Sequence, residues 1–124
     1  MNIDELSKEW IGAYTNEENN EEDLHWAVEY VMDLSFKSNK NNYDELWSFI
    51  KHTYQQDISK KVISILAAGP LEELLSGAGE LYIDVIEELA RKDPKFNYLL
   101  GGVWQSGTPA VVWMRILKAR DEAW

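Results

Sequence analysis

Hydrophobic side chains recur every three to four residues along the chain, and no stretch alternates apolar and polar positions long enough for a half-buried strand. The pattern predicts an all-α fold. Ile3, Leu6, Trp10, Ala13 and Tyr14 form the stripe of a first helix, with Asp4, Glu5, Lys8 and Glu9 on its far side. Asn16 to Asn20 reads as a turn. Asn20 then caps a second helix, whose first turn, Glu21-Glu22-Asp23, complements the positive end of the helix dipole. The buried stripe of that helix is Leu24, Ala27, Val28, Val31 and Leu34.

Residues 38–42 break the pattern, and Asn42 with Glu45 three residues later has the donor and acceptor types of a helix start. Leu46, Trp47, Ile50, Thr53 and Tyr54 face inward from this third helix, and Val62, Ile65 and Leu66 open a fourth stripe. Pro70 has no amide hydrogen and disfavours helical geometry at Gly69, so the fourth helix is expected to end there. A short helix with Leu71, Leu74 and Leu75 follows, closed by a tight connection between Gly77 and Gly79. Tyr82, Val85, Ile86, Leu89 and Ala90 make the next stripe. Asp93-Pro94 and Thr108-Pro109 then each start a further helix, carrying Phe96, Leu99 and Leu100, and Val112, Trp113, Ile116 and Leu117. The architecture expected is one domain over residues 1–124: an irregular bundle or short stack of seven to eight antiparallel short helices.

The 124 residues contain no cysteine, which removes disulfides, thiolate metal sites and thiol catalysis. No apolar run approaches the roughly 20 residues of a membrane span, and the first residues lack a signal peptide's basic start and apolar run. A cytoplasmic location is expected. The net charge of −10 is unevenly placed. Residues 1–36 hold ten acids and one base, the remainder twelve acids and eleven bases. An acidic N-terminal third repels phosphate backbones and steers basic partners, so direct nucleic-acid binding is disfavoured.

Residues that could carry chemistry are sparse. Glu22 and His25, with Glu29 one turn on, have the spacing of a di-iron helix but lack a second such pair, so they read as a solvated acidic face. No serine sits in a nucleophile elbow, and the glycines lack the strand and lysine of a phosphate loop. No catalytic residue, cofactor or metal ligand is assigned. Six tryptophans and six tyrosines are the more telling excess for this length. Trp26 and Tyr30 stand one turn apart, off the second helix's apolar stripe and among carboxylates. Glu21, Glu22, Asp23, Trp26, Glu29, Tyr30 and Asp33 are therefore the candidate partner-binding residues, combining an aromatic hot spot with electrostatic steering. The alternative is that a helix sandwiched between two neighbours fills its second face with Trp26.

From Leu66 to Trp104 the chain carries Leu66-Ala67-Ala68-Gly69-Pro70-Leu71-Glu72, Leu74-Leu75, Ile83-Asp84, Glu87, Asp93-Pro94-Lys95-Phe96 and Leu100-Gly101-Gly102-Val103-Trp104. This segment resembles a family of uncharacterised bacterial all-helical domains sharing that signature. The resemblance implies a small helical bacterial protein and assigns no site. Within it Phe96 and Trp104 read as core fillers, while Glu72, Asp84, Glu87 and Arg91 read as caps and salt bridges, Glu87 and Arg91 as an i,i+4 pair. The function expected is a non-catalytic protein-binding domain: an acidic immunity or antitoxin-type inhibitor masking a basic, nuclease-like toxin. The alternatives are a self-associating accessory domain, whose basic C-terminal part meets a neighbour's acidic part, and an enzyme with an unrecognised carboxylate site.

Overall fold

The computed structural model describes residues 2–15, 25–36 and 39–124; the side chain of Phe36 is not described. Seven α-helices account for most of them: α1 (Ile3–Thr15), α2 (Trp26–Phe36), α3 (Lys40–Tyr54), α4 (Lys60–Leu66), α5 (Glu72–Lys92), α6 (Pro94–Leu100) and α7 (Ala110–Ala119). No strand occurs among the described residues. A π-helical turn, Ala67–Leu71, joins α4 to α5 without interruption. Lys60–Lys92 is thus one 33-residue rod, and among the described residues the separate helical rods number six rather than seven to eight.

That rod corrects one expectation and sharpens another. Pro70 does not end the helix, because the backbone widens there: the Glu72 amide reaches back five residues to the Ala67 carbonyl. The wider π register relieves the clash between the proline ring and the preceding turn. Between Gly77 and Gly79 the expected break is present in its tightest form: one non-helical residue, Ala78 (φ −144°, ψ 24°), at which two helical stretches of α5 meet across a kink. By length and composition the rod could cross a bilayer, but 56% of its most apolar 18-residue window is buried, as in the core helix of a soluble protein.

The buried apolar side chains form a single cluster running from Leu6 in α1 to Ile116 in α7. α3 packs between α1 and α2 on one side and the rod on the other, while α6 and α7 flank α5. Trp10 is fully buried and meets Phe49 edge-on at 5.3 Å, a pair contributing about 0.5–1.5 kcal/mol beyond its burial. Polar contacts also hold α3. Ser7 donates to Thr53 Oγ1 at 3.0 Å within the buried α1–α3 contact, and the Tyr82 hydroxyl donates to Asp44. α3 is capped by Asn39, whose Oδ1 accepts the Asn42 amide at 2.9 Å, so its start lies upstream of the Asn42 expected from sequence.

Four side chains sit differently from their expected places. Val85 and Leu117 are 45% and 48% exposed, because the inward faces of their helices centre on Ile83 and Ile86, and on Val112 and Ile116. Trp104, read as a core filler, is 69% exposed on the loop before α7, whereas Phe96 is fully buried. Glu87 pairs not with Arg91 but with Arg115, whose Nε lies 3.0 Å from Glu87 Oε2 and whose Nη2 lies 2.6 Å from Asp84 Oδ1. α7 lies alongside α5 and presents Arg115 to both acids.

Candidate functional site

α2 packs its Ala27, Val28, Val31 and Leu34 stripe inward, which leaves Trp26, Glu29 and Asp33 together on the outer face at i, i+3 and i+7. Trp26 is 42% exposed and stacks on His25, with 6.0 Å between ring centroids and a 29° interplanar angle. His25 itself begins the helix: its Nδ1 accepts the Ala27 amide at 3.2 Å and its Nε2 lies 3.7 Å from Glu9 on α1. The imidazole is therefore a capping group bridging two helices. Among the described residues no three His, Cys, Asp or Glu side chains gather closely enough to hold a metal ion.

Tyr30 lies at the edge of the same face. Its hydroxyl donates to Glu45 Oε1 on α3 at 2.7 Å, and its ring packs against the core. The hydrogen bond to Glu45, then burial, push its hydroxyl pKa up to about 12. Tyr30 thus ties α2 to α3 and fixes the angle at which Trp26 is presented. Glu21, Glu22 and Asp23 lie outside the described residues, so the structure unites four of the seven sequence candidates: Trp26, Glu29, Tyr30 and Asp33.

On the other edge of α2 the acidic face runs into an apolar groove of about 260 Å³ between α1, α2 and the π-turn. Trp10, Tyr14, Val28, Met32 and Pro70 line it, and Met32 is 42% exposed at its rim. The groove escaped sequence reasoning because its wall is the π-turn, and Gly69-Pro70 reads as a helix end. The arrangement brings together a half-exposed indole and an apolar groove beside two exposed carboxylates, Glu29 and Asp33.

Glu72, read from the sequence as a cap or salt-bridge residue, has a different place. Glu72, the first residue after the π-turn, is 8% exposed and accepts a hydrogen bond from Ser106 Oγ at 3.0 Å. The loop carrying Ser106 also carries the exposed Trp104 and the buried Thr108. One signal was available: Trp104 lies on none of the helical stripes and is followed by Gln105-Ser106-Gly107-Thr108-Pro109, a loop composition.

Comparison with curated proteins and with solved structures finds no match. One family profile does match, and its span includes the whole segment from Leu66 to Trp104 on which the resemblance to an uncharacterised domain family rested. The chain belongs to DUF6869, a family of unknown function, which matches residues 14–124.

Proposed function

We propose that this protein is a non-catalytic binding domain that uses the outer face of α2 to engage a basic protein. In its most concrete form it is a bacterial cytoplasmic immunity or antitoxin-type inhibitor that masks the cationic active site of a nuclease-like toxin. The observation that carries this reading is the union of Trp26, Glu29 and Asp33 on one helical face, bordered by the Met32 groove. The indole and the groove supply desolvated contact area. The carboxylates supply the field that speeds encounter with a cationic surface and take the place of nucleic-acid phosphates on it.

The test is capture of partners by the immobilised protein and by a Trp26→Ala/Glu29→Lys/Asp33→Lys variant, at about 50 and 300 mM salt, where steering is screened but packed contacts persist. The expected result is one basic protein retained at both salts by the native chain and lost by the variant. Its nuclease activity should fall when the native chain is added in equal amount. Retention that survives the triple substitution, or a nuclease indifferent to the chain, overturns the proposal.

A second reading, self-association, is favoured by the outer face of α7, where Val111, Met114 and Leu117 are 74%, 59% and 48% exposed. Val111 and Leu117 stand three residues to either side of Met114, a spacing that lets two copies of α7 meet antiparallel about a two-fold axis. Sedimentation at rising concentration decides it: a mass moving toward twice the 14.4 kDa of the chain supports this reading, and a constant monomer mass removes it.

A further inference from the structure

The groove between α1, α2 and the π-turn is apolar but carries one charge. Glu73 is the only ionisable acid or base that lines it, and no lysine, arginine or histidine among the described residues forms an ion pair with that carboxylate. Trp10 and Tyr14, edge to face at 4.9 Å, wall it on the α1 side, Val28 and Met32 on the α2 side. Tyr14 and Ser35, which also line it, have hydroxyls with no hydrogen-bond partner among the described residues. Neither hydroxyl is sealed from solvent, since Thr108 Oγ1 is the one fully buried side-chain nitrogen or oxygen there without a partner.

These features select the occupant. At about 260 Å³ the groove is smaller than the roughly 300–1,000 Å³ pockets that enclose drug-sized ligands, and suits one long side chain. A wholly apolar side chain seated in it would strip water from a carboxylate and two hydroxyls and return no hydrogen bond. A long basic side chain avoids that cost: its methylene stem covers the apolar wall while its charged head stays at the wet rim, where Glu73 is exposed. The surrounding charge has the matching sign. Glu29 is exposed three residues before Met32, which makes the two neighbours on the surface of α2, and Met32 is 42% exposed at the rim.

We propose that this groove receives a lysine or arginine side chain of the partner, with its stem against Val28, Met32 and Pro70 and its charged head at Glu73. This rests on the reading that α2 engages a basic protein, and it names the kind of residue that seats beside that face.

The experiment titrates the full chain, labelled with ¹³C at its methionine methyl groups, with the N-acetyl N-methylamides of L-lysine, L-arginine and, as the uncharged counterpart, L-norleucine. The Met32 methyl reports on the groove, and the Met114 methyl on α7 is the control. Saturable shifts at Met32 alone are expected, at about millimolar concentration for one side chain. The norleucine compound should bind about threefold more weakly than the tighter of the two cations, which identifies the side chain received. Glu73→Gln should bring that cation down to the norleucine level and leave norleucine unchanged. Gly69→Leu should abolish binding of all three, because a Cβ there meets no atom within 4 Å outside its chain neighbours and the added side chain can fill the groove. Should crowding against Pro70 unfold that variant, Glu73→Gln, at an exposed site, carries the test. No saturable shift at Met32, norleucine binding as tightly as both cations, or Glu73→Gln acting equally on all three compounds overturns the proposal. Trp26 does not line the groove, so Trp26→Ala should bind the compounds as the native chain does. Compound binding without capture of a basic protein removes the α2 reading, and capture without compound binding removes this site.

Discussion

Tyr30 and Tyr54 hold their hydroxyl protons against carboxylates, Glu45 at 2.7 Å and Asp93 at 2.6 Å. Both pKa values are pushed from 10.0 up to about 12, in Tyr30 by Glu45 first and in Tyr54 by burial first. A folded-state pKa above the unfolded value stabilises the fold fully below pH 10 and progressively less as pH rises toward 12. The chain should therefore lose stability between about pH 10 and 12, the window set by these two values. Absorbance at 295 nm should show one tyrosine moving down toward 10 when Glu45 is replaced by Gln; an unchanged titration would mean that the bond to Glu45 does not form in solution. A steric prediction belongs at this scale too. The C-terminal Trp124 stacks on Tyr98 at 4.9 Å, donates from Nε1 to the Tyr98 carbonyl at 2.6 Å and lies over Gly102, where a Cβ would stand 2.6 Å from Cη2. Gly102→Ala should cost about 1–3 kcal/mol, read from the denaturant midpoint, and less in a Trp124→Ala background, where only the 3.0 Å approach to Ala67 Cβ remains. An equal cost in both backgrounds would put the origin elsewhere than this contact.

At the scale of elements, two glycines inside helices are expected to respond to alanine with opposite signs. A Cβ at Gly12 in α1 meets nothing within 4 Å, so Gly12→Ala should stabilise the protein by about 0.5–1 kcal/mol through helix propensity alone. At Gly77 in α5 the same atom would collide with the Tyr43 hydroxyl and lie 2.9 Å from its Cζ, so α3 and the rod would be forced apart. The propensity gain of about 1 kcal/mol is outweighed by overpacking, and Gly77→Ala should lower the melting temperature. A rise there would show that Tyr43 yields freely. The same contrast explains what could be read from the sequence. Where a helix has one solvent face, as α2 does, 3.6-residue spacing is enough to place Trp26, Glu29 and Asp33 outside. It fails where tertiary packing overrides a local rule. Pro70 is buried in a π-turn that packs against α2 and α3, and no local signal announces that. Glu72 meets Ser106 only because the loop before α7 folds back across 34 residues of sequence.

For the whole molecule, the acidity is a strain on the fold as well as the face on which the proposed partner would dock. Glu5, Glu9, Glu29 and Asp33 are exposed on the neighbouring helices α1 and α2, where the one lysine, Lys8, is occupied by Asp4 at 3.1 Å. Like charges packed this way repel, and salt relieves them as the screening length falls from about 30 Å at 0.01 M to about 8 Å at 0.15 M. The melting temperature should rise over that range. Glu29→Lys/Asp33→Lys should raise the low-salt melting temperature and flatten its dependence on salt, while removing the retained partner. That combination, more stable and less able to bind, is what a surface kept for recognition at the expense of stability shows. If instead the substitutions stabilise the fold and the partner stays bound, the acidic face serves solubility, and recognition would have to be sought elsewhere on the molecule. If the salt dependence persists unchanged, the repulsion does not originate on α2.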